Sequence, residues 1–158
     1  MKVAVIGEGY LAATLKICAA QLGHQITAPL WEPDVTWFAE DVGSDGAEQA
    51  LGKIWNHLKE ISGDQVIFVS SQLPVGSLLT LEGFTEFRSD CRFSFAYIPE
   101  NIRTGHGVED FMAQTRFVVG TRSPEAREAA IEFFDQHPAK LEWMSPESAE
   151  MVKHAINA

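Results

Sequence analysis

Glu150, Lys153 and Asn157 set a carboxylate, an ammonium and an amide at i, i+3 and i+7 of the segment ESAEMVKHAINA. The segment has a helical pattern, so the three share one face. About fifty residues upstream, Pro99-Glu100-Asn101-Ile102-Arg103 lies in a polar run, YIPENIRTGHG, between two apolar strand-like segments. A third constellation opens the chain. Gly7-Glu8-Gly9-Tyr10-Leu11-Ala12 directly follows an apolar strand and begins a helix, the context a dinucleotide fingerprint requires. Gly7 permits the tight turn, and Gly9 lets the backbone approach a pyrophosphate at the helix N-terminus. Ala12, in place of a third glycine, still allows close helix–strand packing. A cofactor loop, then a polar loop, then an amine-bearing helix suggest hydride-transfer chemistry. Taken alone, Glu150 and Lys153 read as an ordinary helical ion pair.

These groups need a scaffold, and the pattern supplies one. Val3 to Ile6 is a short apolar run of the buried parallel-strand type. A helix is predicted from Tyr10 to Leu22, with Gly23 as its left-handed cap. Gln25 to Ala28 reads as a weak strand and Val35 to Ala39 as a third. Asp45 to Ile61 carries apolar residues at Ala47, Leu51, Ile54, Leu58 and Ile61, a helical stripe. Val66 to Val69 is the clearest central strand. Phe93 to Ile98 and Arg116 to Val119 are further strands, Ser123 to Gln136 is a helix with Pro124 in its first turn, and Leu141 to Met144 is a short strand. This alternation predicts an α/β fold, a Rossmann-like doubly wound and mainly parallel sheet with helices on both faces.

Composition excludes several classes. The chain has 158 residues, enough for one domain with a real core, and 46% of them are hydrophobic. A net charge of −10 disfavours nucleic acid and anionic membrane as partners. No apolar run approaches the roughly 20 residues a membrane span needs, and the N-terminus lacks a signal-peptide pattern, so a cytoplasmic protein is expected. Cys18 aligns with Leu11, Leu15 and Leu22 as core filler, and Cys91 has no nearby His to make it a nucleophile. No Cys or His spacing suggests a metal, and the five histidines read as solvated or turn residues. A carboxylate about 20 residues beyond the glycine loop should hold the ribose of NAD. Glu32 and Asp34 fall near that distance, but Pro29 shortens the strand, leaving ribose clamp and solvated acid both open for Glu32.

With those residues placed, the chain resembles the N-terminal domain of the UDP-glucose/GDP-mannose dehydrogenase family along most of its length. The glycine turn followed by Tyr10, the loop Val69-Ser70-Ser71-Gln72-Leu73-Pro74-Val75-Gly76-Ser77, and the Pro99–Gly105 loop all resemble family segments. So do Asp110, the strand Arg116 to Gly120, and the helix carrying Ala149, Glu150, Lys153 and Asn157. The resemblance implies oxidation of the C6 alcohol of a nucleotide sugar to a carboxylate in two NAD-dependent steps, by way of a cysteine-bound thiohemiacetal, in polysaccharide biosynthesis. It implies that Lys153 stabilises the oxyanion, that Asn157 assists, and that Glu100 with the adjoining loop shapes the sugar site. Asn101, Ile102 and Arg103 would contact substrate, and Gly7, Gly9, Tyr10, Leu11, Glu32 and Gln72 would hold NAD. A Lys153 that faces a cavity should be removable at little cost to stability. Valine at Gly7 or Gly9 should abolish dinucleotide binding with the fold intact.

The departures are specific. Gln72 replaces the family's loop threonine, and Thr104 replaces a glutamate four residues after Glu100. A strand and helix are missing between the second strand and Val35. Neither Cys18 nor Cys91 matches the nucleophile, which belongs to a C-terminal domain. Residues 1–145 are expected to form the dinucleotide-binding domain. The uncapped segment from 146 to 158 is expected to begin a helix leading to further domains, on which the full-length protein would form a homodimer. Two alternatives stay open: a non-catalytic dinucleotide- or nucleotide-sugar-binding module, and a Rossmann β-hydroxyacid-type dehydrogenase.

Overall fold

The apolar runs and amphipathic stripes alternate in space as they do in sequence. The computed structural model describes residues 1–42 and 46–157, the side chain of Asn157 excepted. The strands are β1 (Lys2–Ile6), β2 (Gln25–Ile26), β3 (Val35–Phe38), β4 (Gln65–Val69), β5 (Phe93–Tyr97), β6 (Arg116–Thr121) and β7 (Lys140–Met144). The helices are α1 (Tyr10–Gln21), α2 (Ala47–Glu60), α3 (Ser77–Thr85), α4 (Gly107–Ala113), α5 (Pro124–Phe133) and α6 (Pro146–Asn157). Asp45, the predicted start of the second helix, lies outside the described residues.

One seven-stranded sheet runs in the order β2-β1-β3-β4-β5-β6-β7. Neighbours are parallel except β5 and β6, which are antiparallel. Successive strand residues feed opposite faces, as the pleat requires. Trp37, Phe68 and Ala96 pack with Leu15 and Cys18 of α1, Phe111 of α4 and Phe133 of α5. Phe38, Ile67, Val69, Phe95 and Tyr97 pack with Ile54 and Leu58 of α2, Leu78 and Leu81 of α3 and Ala149 of α6. The central strands β1, β3, β4 and β5 are covered on both sides, which is why they read as apolar runs, whereas β2 and β7 at the edges are half-buried or exposed. The doubly wound prediction therefore holds.

Two features depart from what the sequence pattern predicts. The sequence pattern does not predict α3 and α4: α3 follows Gly76, whose φ of 93° only glycine adopts freely, and α4 is a short helix that follows the polar run and packs Phe111 into the core. The sixth and seventh strands run opposite to the first five. The predicted shortening after the second strand takes a definite form: β2 keeps two residues, and residues 27–34 carry the chain back past β1 to β3. Asp34 closes this crossing, its carboxylate accepting from the Lys2 amide at 2.6 Å while its own amide donates to the Lys2 carbonyl.

The chain leaves β1 toward one side of the sheet and leaves β3 toward the other. The connection reverses between these adjacent strands, and the crevice at the carboxyl ends there is where open α/β sheets bind ligands.

Candidate functional site at the carboxyl edge of the sheet

A cleft of about 290 Å³ opens at this edge. Leu11 of α1, Glu40, Asp41 and Val42 after β3, Ser70 and Gln72 after β4, Glu100 to Ile102 after β5, and Lys153 and Ile156 of α6 line it.

The glycine loop has the predicted geometry. Gly7 and Gly9 take φ values of 155° and 130°. A Cβ on Gly7 would run into the carbonyl oxygen of Ala39, so β1 can approach β3 this closely only through glycine. The expectation that Gly7→Val spares the fold is corrected by this contact, because the obstacle is backbone. On Gly9 an added Cβ would meet the Asp41 carboxylate instead. That carboxylate accepts from the Tyr10 amide at 2.6 Å and from the Leu11 amide at 3.3 Å. Glu40 stands beside it, its carboxylate 3.5 Å from the Glu8 amide and 3.1 Å from the Lys53 ammonium. Residue spacing points to an acid near residue 32 and not to this pair. The signal was available: Phe38-Ala39 is the end of a buried strand, and two acids follow it at the switch point.

Lys153 is 5% exposed and does not pair with Glu150. Its Nζ donates to the Glu100 carbonyl at 3.1 Å and forms an ion pair with the Glu100 carboxylate. The other carboxylate oxygen of Glu100 accepts from the Ile102 amide at 3.0 Å, which fixes the start of the polar loop. Glu150 is wholly buried and turns to α3, accepting from the Gly76 amide at 2.5 Å and the Leu78 amide at 2.8 Å. It thus satisfies the orphan donors at that helix's N-terminus. Burial raises its carboxyl above the ordinary range, and the two amide hydrogen bonds partly offset the rise. The helical pair is therefore corrected, and so is the picture of Lys153 as removable at little cost.

Gln72 lines the cleft with its amide 3.4 Å from Nδ1 of His154, whose Nε2 lies 2.9 Å from the Leu73 carbonyl. A carbonyl only accepts, so the ring proton sits on Nε2 and Nδ1 accepts from Gln72. His154 is thus a positioned residue, and His137, 5% exposed and bonded to the Phe111 carbonyl, is a core one; neither is a solvated histidine. Behind the cleft, Trp37 donates to Ser70 at 2.8 Å, Ser71 receives the Glu40 amide at 2.8 Å, and the Tyr97 hydroxyl donates to the Ser71 carbonyl at 2.9 Å. These bonds tie the ends of β3, β4 and β5 together.

Other expected residues are placed differently. Asn101 and Ile102 line the cleft, whereas Arg103 faces Asp110, donating at 2.7 Å, and is exposed. Arg103 lowers the Asp110 carboxyl to about 2, chiefly through side-chain hydrogen bonding. Tyr10 is tied to α4, its hydroxyl accepting from the Gly107 amide at 2.6 Å. Glu32 sits exposed just after a turn, with a left-handed φ of 47°, and is not among the residues lining the cleft. Asn157 ends α6, and its side chain lies outside the described residues. Cys18 and Cys91 are buried free thiols; burial raises Cys18 to about 11 and also raises Cys91, so neither is a ready nucleophile. Among the described residues no group of three or more His, Cys, Asp or Glu could hold a metal ion.

The UDP-glucose/GDP-mannose dehydrogenase family, NAD binding domain, matches residues 42–137. The chain belongs to this family. Its curated relatives include the UDP-glucose 6-dehydrogenases TuaD and YwqF of Bacillus subtilis (strain 168). TuaD is 26% identical over 208 residues, covering 99% of this chain and 45% of the relative, and YwqF is 23% identical over 209 residues, covering 100% and 48%. The chain thus spans about half the length of these relatives. The alignments exceed the 158 residues of this chain, as a segment missing here requires. Among solved structures, a UDP-glucose dehydrogenase from Pyrobaculum islandicum superposes with a TM-score of 0.79 at 21% identity, over 99% of this chain and 49% of that one. A GDP-mannose dehydrogenase from Pseudomonas aeruginosa gives 0.76 at 17% identity, over 99% and 49%. These likenesses bear out the fold. NAD is the family's cofactor, and the glycine loop suits it: a glycine cradle faces the α1 N-terminus, which already holds one anionic group in the Asp41 carboxylate.

Proposed function

We propose that this chain is the NAD-binding part of a nucleotide-sugar 6-dehydrogenase, which oxidises the C6 alcohol of a UDP- or GDP-sugar to the carboxylate of a uronic acid. The observation that carries the reading is the buried Lys153 ammonium, held by Glu100 in the same cleft as the first turn of α1. When bound, NAD supplies the hydride acceptor. Lys153 donates a hydrogen bond from Nζ to the C6 oxygen as charge grows there, a contribution made mainly in the transition state. Glu100 aims the ammonium through its carbonyl and carboxylate, and Asn101 and Ile102 present the loop to the sugar. Asn157, four residues beyond Lys153 on α6, is retained as its assistant, and Gln72 as a cofactor contact.

In this reading residues 1–145 are the dinucleotide-binding unit. α6 leads to the remainder of a cytoplasmic enzyme that dimerises through this helix. Among the described residues no helix is long and apolar enough to cross a membrane. The catalytic thiol comes from outside these 158 residues, since Cys18 and Cys91 are buried and absent from the cleft lining.

The test uses the full-length protein with NAD and a panel of UDP- and GDP-sugars. Two NADH per sugar and a uronic acid product are expected, and Lys153→Ala should lower kcat and kcat/KM together by about a hundredfold, checked where the variant is still folded. No NADH from any nucleotide sugar, or an unchanged kcat in the variant, would end this reading.

A further inference from the structure

The amides that open α1 already hold an anion supplied by the chain itself, the Asp41 carboxylate. Three observations place an anion there. The Asp41 carboxylate accepts from the Tyr10 and Leu11 amides, the donors at the start of α1 that a diphosphate would use. The face of Gly9 left open by its missing side chain looks directly at that carboxylate. Asp41 also belongs to the loop after β3, which with the loop after β1 forms the crevice at the switch point.

We infer that Asp41 is a built-in competitor of the dinucleotide, setting the affinity of the site by having to leave before the pyrophosphate can enter. The inference rests on the reading that the glycine loop binds NAD. Two anions cannot share one set of donors, because each needs the same N–H groups and they repel across a few ångströms. Asp41 competes at no translational cost, being tethered by the chain three residues beyond the end of β3. The adjacent Glu40, bonded to the Lys53 ammonium and near the Glu8 amide, adds a second negative group on the same side. The usual Rossmann arrangement leaves these donors to the ligand, so this chain should bind NAD more weakly than its glycine loop alone would allow. The device also makes affinity adjustable, since any partner segment that draws the 40–42 loop away from α1 would raise it.

Calorimetric titration with NAD of the wild type, Asp41→Ala and Asp41→Asn tests this, with inorganic pyrophosphate as a second probe. Both variants should bind NAD about tenfold or more tightly, Asp41→Ala the more so, with a parallel gain for pyrophosphate. In the absence of ligand, amide exchange at Tyr10 and Leu11 should quicken in Asp41→Ala and slow again when NAD is added. Equal affinity across the three proteins would overturn the inference while leaving NAD binding in place. Weaker binding in the variants would overturn it too, by making Asp41 a cofactor ligand. Should Asp41→Ala fray α1, Asp41→Asn keeps a capping oxygen and carries the comparison. Failure of nucleotide-sugar oxidation is read separately, from NADH production, and does not enter the affinity ratio.

Discussion

Removing the Lys153 charge should destabilise this domain severely, and removing Glu100 as well should restore most of the loss. The two side chains are 7% and 13% exposed and face each other across loop and helix. In Lys153→Met the apolar stem is kept, so the cost comes from leaving the Glu100 carboxylate with the Ile102 amide as its remaining partner of those the pair provides. Breaking a buried pair in this way costs about 3–5 kcal/mol, a third or more of the roughly 5–15 kcal/mol that holds a domain of this size together. Replacing both partners by neutral groups of similar shape is close to neutral, so Glu100→Gln with Lys153→Met should lie within about 1 kcal/mol of the wild type. The coupling in a double-mutant cycle should therefore reach about 2 kcal/mol or more. Urea unfolding followed by tryptophan fluorescence is suited to this, because Trp37 is 1% exposed and will report the loss of the core. A parallel cycle between Glu150 and Lys153 should show almost no coupling, since Glu150 serves the α3 amides. A loss below about 1 kcal/mol in Lys153→Met, or strict additivity with Glu100→Gln, would refute the buried pair and restore an ordinary helical pair worth about 0.5 kcal/mol at most.

Two further outcomes follow from the site's surroundings. NMR titration of the Asp110 carboxyl should give a midpoint of about 2, moving toward its ordinary value of 3.8 in Arg103→Ala. Because the folded value is depressed, the stability this tie lends to the Pro99–Gly105 loop is present above pH 3.8 and is lost as pH falls through about 2. Alanine at Gly7 should lower the thermal midpoint sharply because its Cβ meets the Ala39 backbone, whereas alanine at Gly9 should displace the Asp41 side chain and cost less. Equal losses at the two positions, measured by circular dichroism melts, would contradict that difference.

Much of this fold is legible in the sequence because its signals are local. Each buried strand is a short apolar run, and the stripe that marks α2 faces the core at Ile54 and Leu58, with Ala47, Leu51 and Ile61 half-buried at its margin and Ala50 buried beside it. Gly23, with φ 85°, ends the first helix where the pattern breaks. The glycine loop and the polar loop after β5 are recognisable for the same reason: turn chemistry depends on a few adjacent residues. α3 and α4 escape this kind of reading, being short and set in loops rich in Gly and Pro, and the direction of β6 escapes it because strand pairing depends on a partner elsewhere in the chain.

The site divides along the same line. Sequence spacing puts Glu150 and Lys153 on one helix and within reach of each other, and it says nothing about which other groups compete for them. The fold settles that competition by bringing the Glu100 loop to Lys153 and the α3 N-terminus to Glu150. The same holds for the acids near the glycine loop. Spacing along the chain points to Glu32 and Asp34, but the short crossing leaves the first exposed and fastens the second to the start of β1. Parallel strands with their carboxyl ends at one edge bring Asp41, remote in sequence, onto the α1 amides. Charge and hydrogen-bonding capacity are fixed residue by residue, whereas the partner each group finds is chosen by the tertiary structure, because electrostatic attraction acts through space and not along the chain.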